Sequence, residues 1–238
     1  MNLSYESLKS ILRIYVRLTA TTHHVDGGLP LPPGPKIIAA NHTYATDAFH
    51  LPLIVREQLH FLMQGSMFAN PLAAKIFEHA GQIEVNRDQC GVAFQKALRL
   101  LEQGGTVVIY PEGRLTPPGT HYPGHTGAIC LAQASGAPII PLGTHVDPRH
   151  LKEVRFTLHG RARSGLWQLG GACNLLFGEP WHPAHANARV LTDELMERIY
   201  SLVNQIPKES ICASPTSPNP IRPWSAARPS SPNVSPKG

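Results

Sequence analysis

Runs of apolar, β-branched residues alternate along this chain with segments that are apolar at helical spacing, and that alternation constrains the fold more than any other feature. "KIIAA" from residue 36, "QIEVNRD" from 82, "TVVIYPEG" from 106 and "APIIPLGTHV" from 137 read as strands, with "EVRFTLHG" and "NLLFGEP" as weaker candidates. Between them "AFHLPLIVREQL", "NPLAAKIFEHAG", "CGVAFQKALRLLEQGG", "HTGAICLAQASG" and "ARVLTDELMERIYSLVNQI" read as helices, the third of them closed by glycine. Strands that take turns with helices predict an α/β fold, a mixed central sheet flanked by helices. With 238 residues, 42% of them hydrophobic, the chain can bury one sizeable core.

The two ends differ from this pattern. Leu3, Leu8, Ile11, Leu12, Tyr15 and Leu18 recur at roughly helical spacing, with Lys9, Arg13 and Arg17 between them. Residues 1–18 therefore read as an amphipathic helix, which either packs on the domain or lies in a membrane interface. At the other end, residues 207–238 hold eight prolines and seven serines, too little apolar surface to offset the entropy of ordering, so a disordered tail is expected after a single domain over 1–206.

The formal charge of +5 also belongs mostly to that tail, where four basic residues face one acidic. A nucleic-acid protein carries its charge on the fold, so no nucleic-acid partner is expected. Cys90, Cys130, Cys173 and Cys212 fall at wide, irregular spacings, which fits a reducing compartment better than a disulfide framework. No run of about 18 apolar residues predicts a spanning helix. The N-terminal segment lacks an apolar signal core, so a cytoplasmic location is expected.

Chemistry can be sought in four stretches. In "AANHTYATDAFH", His42 and Asp47 are five residues apart, which on a continuous helix would put them on different faces. A strand ending at the His, a turn, and a helix starting near the Asp would instead let them meet, and a carboxylate beside imidazole makes an oriented general base. Asp47 could equally cap the following helix. "VVIYPEGRLTPPG" delivers Glu112, Gly113 and Arg114 into the turn at the C-terminal end of a strand, where ligands of α/β sheets collect, although a surface ion pair would look the same. "GQIEVNRD" places Arg87 at a strand end, a position where arginines are usually solvated charges. "GAPIIPLG" reads as core before site.

His-four-residues-Asp, Gly-five-residues-Arg, Pro-Glu-Gly and a proline-bearing apolar strand, in this order over about residues 10–205, resemble the glycerolipid acyltransferase family that includes 1-acylglycerol-3-phosphate acyltransferase. The resemblance implies a glycerol-3-phosphate acyltransferase-like fold. It implies that His42 is the general base and Asp47 its orienting carboxylate, and that Arg87 and Arg114 bind the acceptor's phosphate. Glu112 and Gly113 would shape the acceptor site, and residues 138–142 would line an acyl or acceptor pocket. The implied reaction moves a fatty acyl group from acyl-CoA or acyl carrier protein to the free hydroxyl of a lysophospholipid, on the cytoplasmic face of a membrane and without a cofactor. The absence of a Gly-x-Ser-x-Gly elbow agrees with direct transfer.

Three departures from the family pattern stand out. Arg114 follows Gly113 directly, a shorter motif that resembles the lysophosphoethanolamine acyltransferases more closely. Thr43-Tyr44 replaces a turn that commonly carries Ser at the second position, and His125 stands where a Lys is usual. Two other readings are an inactive, lipid-binding relative and a metal site built from His121, His125, His145 and Asp147. The Pro and Gly inside "HYPGH" spoil the helix such a metal site would need.

Overall fold

The computed structural model of the protein describes residues 2–24, 31–158 and 161–207, without the side chains of residues 23, 24, 87, 156–158 and 161–163. The proline- and serine-rich segment expected to be disordered lies, from residue 208 on, outside the described residues.

The strands are β1 (Thr21–His24), β2 (Lys36–Ala40), β3 (Leu59–Gln64), β4 (Ile83–Val85), β5 (Thr106–Ile109), β6 (Ile139–Val146), β7 (Leu151–Leu158), β8 (Arg161–Gln168) and β9 (Ala172–Phe177). The helices are α1 (Leu3–Thr19), α2 (Leu51–Ile54), α3 (Pro71–His79), α4 (Cys90–Glu102), α5 (Gly127–Ser135) and α6 (Ala188–Gln205). Among the described residues, seven strands form one sheet in the order β1-β9-β6-β2-β5-β3-β4, and β7 and β8 form a separate antiparallel pair. Strands β6, β2, β5, β3 and β4 run parallel, whereas β9 runs against β6 and takes β1 with it.

Central parallel strands are buried on both faces, which is why KIIAA and TVVI are continuous apolar runs and not alternating ones. Alternate residues still sort to opposite faces. Ile37, Ala39, Val107 and Ile109 pack with Ala97 and Leu101 of α4, Ile129 of α5 and Leu195 and Ile199 of α6. Ile38, Ala40 and Val108 face the other way, onto Leu51, Leu59, Cys173, Leu175 and Tyr5 of α1. The 138–142 stretch, considered above as both core and pocket lining, supplies buried Ile139, Ile140 and Leu142 to these two layers.

Two local expectations are corrected, and two strands were not foreseen. "AFHLPLIVREQL" does not form one helix. A 3-10 turn over Asp47–Phe49 leads into the short α2, Val55 turns extended, and β3 begins at Leu59. Leu59 and Phe61 alternate into the core, so a period-two signal was hidden behind a run apolar enough for either structure. Strands β1 and β8 carried no apolar pattern to find, since they are held by register against β9 and β7. Helix α1 forms as expected but faces differently: Lys9 is buried, its Nζ donating to the Val55 carbonyl at 3.1 Å, so only Arg13 and Arg17 remain as exposed basic residues.

Candidate active site

The chain leaves β2 at Ala40 and enters a turn anchored before it bends. Asn41 extends the ladder toward β6 with its side chain, accepting from the Thr144 N–H at 2.7 Å and donating to the Thr144 carbonyl at 3.0 Å. His42 follows, and the turn brings Asp47 back to it, with Nδ1 lying 3.0 and 2.9 Å from the two carboxylate oxygens. Asp47 does not cap the helix after it. Its Oδ2 accepts from the backbone N–H of Thr43 at 3.1 Å and of Tyr44 at 3.5 Å, folding the turn around the carboxylate. Tyr44 points into the core, where its hydroxyl donates to Cys173 Sγ at 2.9 Å, and burial pushes that thiol up to about 12.

Because Asp47 accepts the Nδ1 proton, the lone pair of neutral His42 sits on Nε2, which has no hydrogen-bond partner among the described residues. The side chain of Asp47 is fully buried while that of His42 is 22% exposed, so the carboxylate is dry and the ring reachable. Burial pulls the His42 pKa down, but the charge of Asp47, its hydrogen bond and the charge of Glu112 outweigh burial and leave it above the ordinary value. The Tyr110 ring stacks on His42 at 4.3 Å between centroids. Burial first, then the charge of Asp47, hold the Tyr110 pKa well above the phenol range.

The Pro-Glu-Gly turn closes over this pair from the end of β5. Glu112 is buried, with both oxygens engaged: Oε2 accepts from the His42 N–H at 3.2 Å and from the Thr116 hydroxyl, and Oε1 accepts from the Tyr200 hydroxyl of α6 at 2.8 Å. The Thr116 N–H also donates to the His42 carbonyl at 2.7 Å, so the two loops are bound at two points. Gly113 has φ +63°, and a Cβ there would come within 2.8 Å of the His125 ring, so glycine is required. Arg114 is exposed, its guanidinium 4.8 Å from the Tyr122 ring centroid.

Arg87 opens a 3-10 turn at the end of β4, and its side chain lies outside the described residues. Its backbone shares the carboxyl edge of the sheet with His42 and Arg114, three strands from β2, which is about 14 Å at ordinary strand spacing. Among the described residues no group of three or more His, Cys, Asp or Glu side chains could hold a metal ion. His121, one of the metal candidates, stacks on Tyr200 at 3.9 Å. The sequence did not point to Tyr110, Thr116 or Tyr200. Tyr110 and Thr116 flank the Pro-Glu-Gly motif and could have been drawn from it, whereas Tyr200 is 88 residues from Glu112 and left no local signal.

The fold is that of an α/β protein with an imidazole oriented by a buried carboxylate at the carboxyl edge of its mostly parallel sheet, an arrangement chemically able to accept a proton from a group bound there. The acyltransferase family model matches residues 23–145, just over half of the chain, and the chain belongs to that family. Its architecture is similar to that of the 1-acyl-sn-glycerophosphate (LPA) acyltransferase PlsC from Thermotoga maritima. The TM-score is 0.65 at 18% identity, over 84% of this chain and 78% of that one.

Proposed function

We propose that this acyltransferase moves a fatty acyl group from the thioester of acyl-CoA or acyl carrier protein to the free hydroxyl of a lysophospholipid such as 1-acylglycerol-3-phosphate. The observation that carries the reading is the His42–Asp47 pair, with Nδ1 held on a buried carboxylate and Nε2 left to act. As the acceptor oxygen attacks the thioester carbonyl, Nε2 takes the hydroxyl proton, the carbon–oxygen bond forms and the carbon–sulfur bond breaks. The departing thiolate then recovers the proton from His42. Positioned base catalysis contributes roughly 10²–10⁴-fold, and the remainder comes from holding the two substrates together and stabilising the oxyanion.

Arg87 and Arg114 are the proposed phosphate ligands, since a planar guanidinium matches phosphate oxygens in pairs. Gly113 keeps the acceptor-side loop free of a side chain. Glu112, with both oxygens engaged, shapes the acceptor site through the loops it joins. A membrane surface is the proposed partner, on the cytoplasmic face. Among the described residues no helix is long and apolar enough to cross a membrane. Leu3, Ile11, Ile14 and Leu18 of α1, however, are 61–84% exposed on one side of the helix, with Arg13 and Arg17 exposed near them. Leu72 and Ile76 of α3, a helix in contact with α1, are exposed as well.

An acceptor panel tests the reading. Labelled acyl-CoA and acyl carrier protein are offered with lysophosphatidate, lysophosphoethanolamine, glycerol phosphate and lyso-ornithine lipid. Acylation of a phosphate-bearing lysolipid is expected, and thiol release without any acylated lipid would overturn the proposal.

A further inference from the structure

The turn that carries Asp47 is held from a side the reaction does not use. Strand β8 belongs to the separate two-stranded pair, yet it runs along this turn and bonds to it at three places. The Ala45 N–H donates to the Leu166 carbonyl at 2.7 Å, the Gln168 N–H donates to Thr46 Oγ1 at 3.3 Å, and His50 Nε2 lies 2.8 Å from Gln168 Oε1. The Gln168 amide donates to the carbonyls of Gly170 and Gly171 at 3.1 and 3.3 Å, which turns its oxygen toward His50 and makes His50 Nε2 the donor. Thr22 Oγ1, 2.7 Å from His50 Nδ1, then completes the ring by donating to it. Thr46, Asp47, His50 and Gln168 are all at most 1% exposed, so water does not compete for these bonds.

We propose that Thr46 and His50 are positioning residues of the acyl transfer, fastening the Asp47 turn to β8 so that Asp47 keeps its bidentate approach to His42. The inference rests on His42 acting as the base. Thr46 precedes Asp47, and the His50 N–H donates to the Asp47 carbonyl at 3.3 Å, so Asp47 is braced on both sides. A turn freed from β8 lets the carboxylate drift, and misplacement by about 1 Å can cost 10²-fold in rate. The groups facing His42 are Asp47 from its own turn, Glu112 from the end of β5 and the stacked Tyr110. If only Asp47 moves away, burial gains on the remaining charge and His42 titrates at lower pH.

Four variants of the full chain test this: Thr46→Val and Thr46→Ser, His50→Leu and His50→Gln. Steady-state kinetics are combined with NMR titration of ¹³C-labelled histidine, the His42 signal being assigned by its loss in His42→Ala. Thr46→Val and His50→Leu are expected to lower kcat about tenfold or more with the acceptor KM within about twofold, and to move the His42 titration to lower pH. Thr46→Ser and His50→Gln, which keep a hydroxyl and a donor, are expected to restore most of both. Unchanged kcat and titration in folded Thr46→Val would overturn the proposal, as would equal losses in all four variants with the titration unmoved. Where His50→Leu fails to fold, the Thr46 pair decides. Near-native turnover of His42→Ala would instead refute the base assignment, and the NMR titration would still report whether β8 holds Asp47.

Discussion

Asp47 acts on His42 in two ways, fixing which nitrogen carries the proton and favouring the charged ring. Both have consequences for rate against pH. A general base must be neutral to accept a proton, and the His42 pKa lies above its ordinary value of about 6.5, so the acidic limb of kcat/KM is expected above that pH. Asp47→Asn removes the charge of Asp47 and reduces its hydrogen bond while burial remains. The limb should therefore shift to lower pH as the maximum rate falls, which a pH–rate profile of the two proteins measures directly. On the proposed phosphate-binding role, Arg114→Ala is expected chiefly to raise the acceptor KM, because a charge-assisted contact of that kind would act in ground and transition states alike. A change confined to the donor KM would place the phosphate site elsewhere. His42, Asp47, Gly113 and Arg114 were legible because each lies within a short motif whose spacing implies a turn. Tyr200 and Gln168 were not, since they reach the site from 88 and 118 residues away and nothing local marks a residue for such a bond.

Helix α1 shows how far an element can be read before its neighbours are known. Its apolar residues recur at helical spacing, so the helix was legible, but which face is covered depends on partners elsewhere in the chain. Tyr5 is buried and accepts from the Leu59 N–H at 3.2 Å, Lys9 reaches the end of α2, and Tyr15 meets Phe49 and Trp167 edge-on at 5.4 and 6.3 Å. The side bearing Leu3, Ile11, Ile14 and Leu18 is left exposed. Removing the helix would therefore damage the core, and point changes on the outer side are the cleaner probe. Ile11→Asp with Ile14→Asp is expected to cut co-sedimentation with anionic vesicles and turnover of vesicle-borne acceptor, while turnover of a short-chain soluble acceptor is kept. With Lys9 buried, two exposed arginines would contribute about 2 kcal/mol to the proposed contact with anionic lipid, about 30-fold in partitioning, so high salt is expected to weaken vesicle binding. Undiminished vesicle binding by the double variant would move the contact to another surface.

At the scale of the whole molecule, the alternation of buried strands and amphipathic helices was enough to give a mixed sheet with helices on both faces. β2, β5 and β6 are apolar because both of their faces are covered, and that is a local property of the sequence. The antiparallel turn of the sheet at β9, the edge position of β1 and the β7–β8 pair were not legible in the same way, because register against a distant strand decides them. The fold matters to function by setting the His42 turn and the Pro-Glu-Gly turn side by side at the carboxyl ends of adjacent parallel strands, β2 and β5. The most direct test is a transfer assay under single-turnover conditions, with native protein and His42→Ala, following thiol release and acylated lysophospholipid together. The expected result is one thiol released for each ester formed by the native protein, and a rate at least about 10²-fold lower for a His42→Ala protein of unchanged thermal stability. A folded His42→Ala protein that forms the ester at a near-native rate would contradict it.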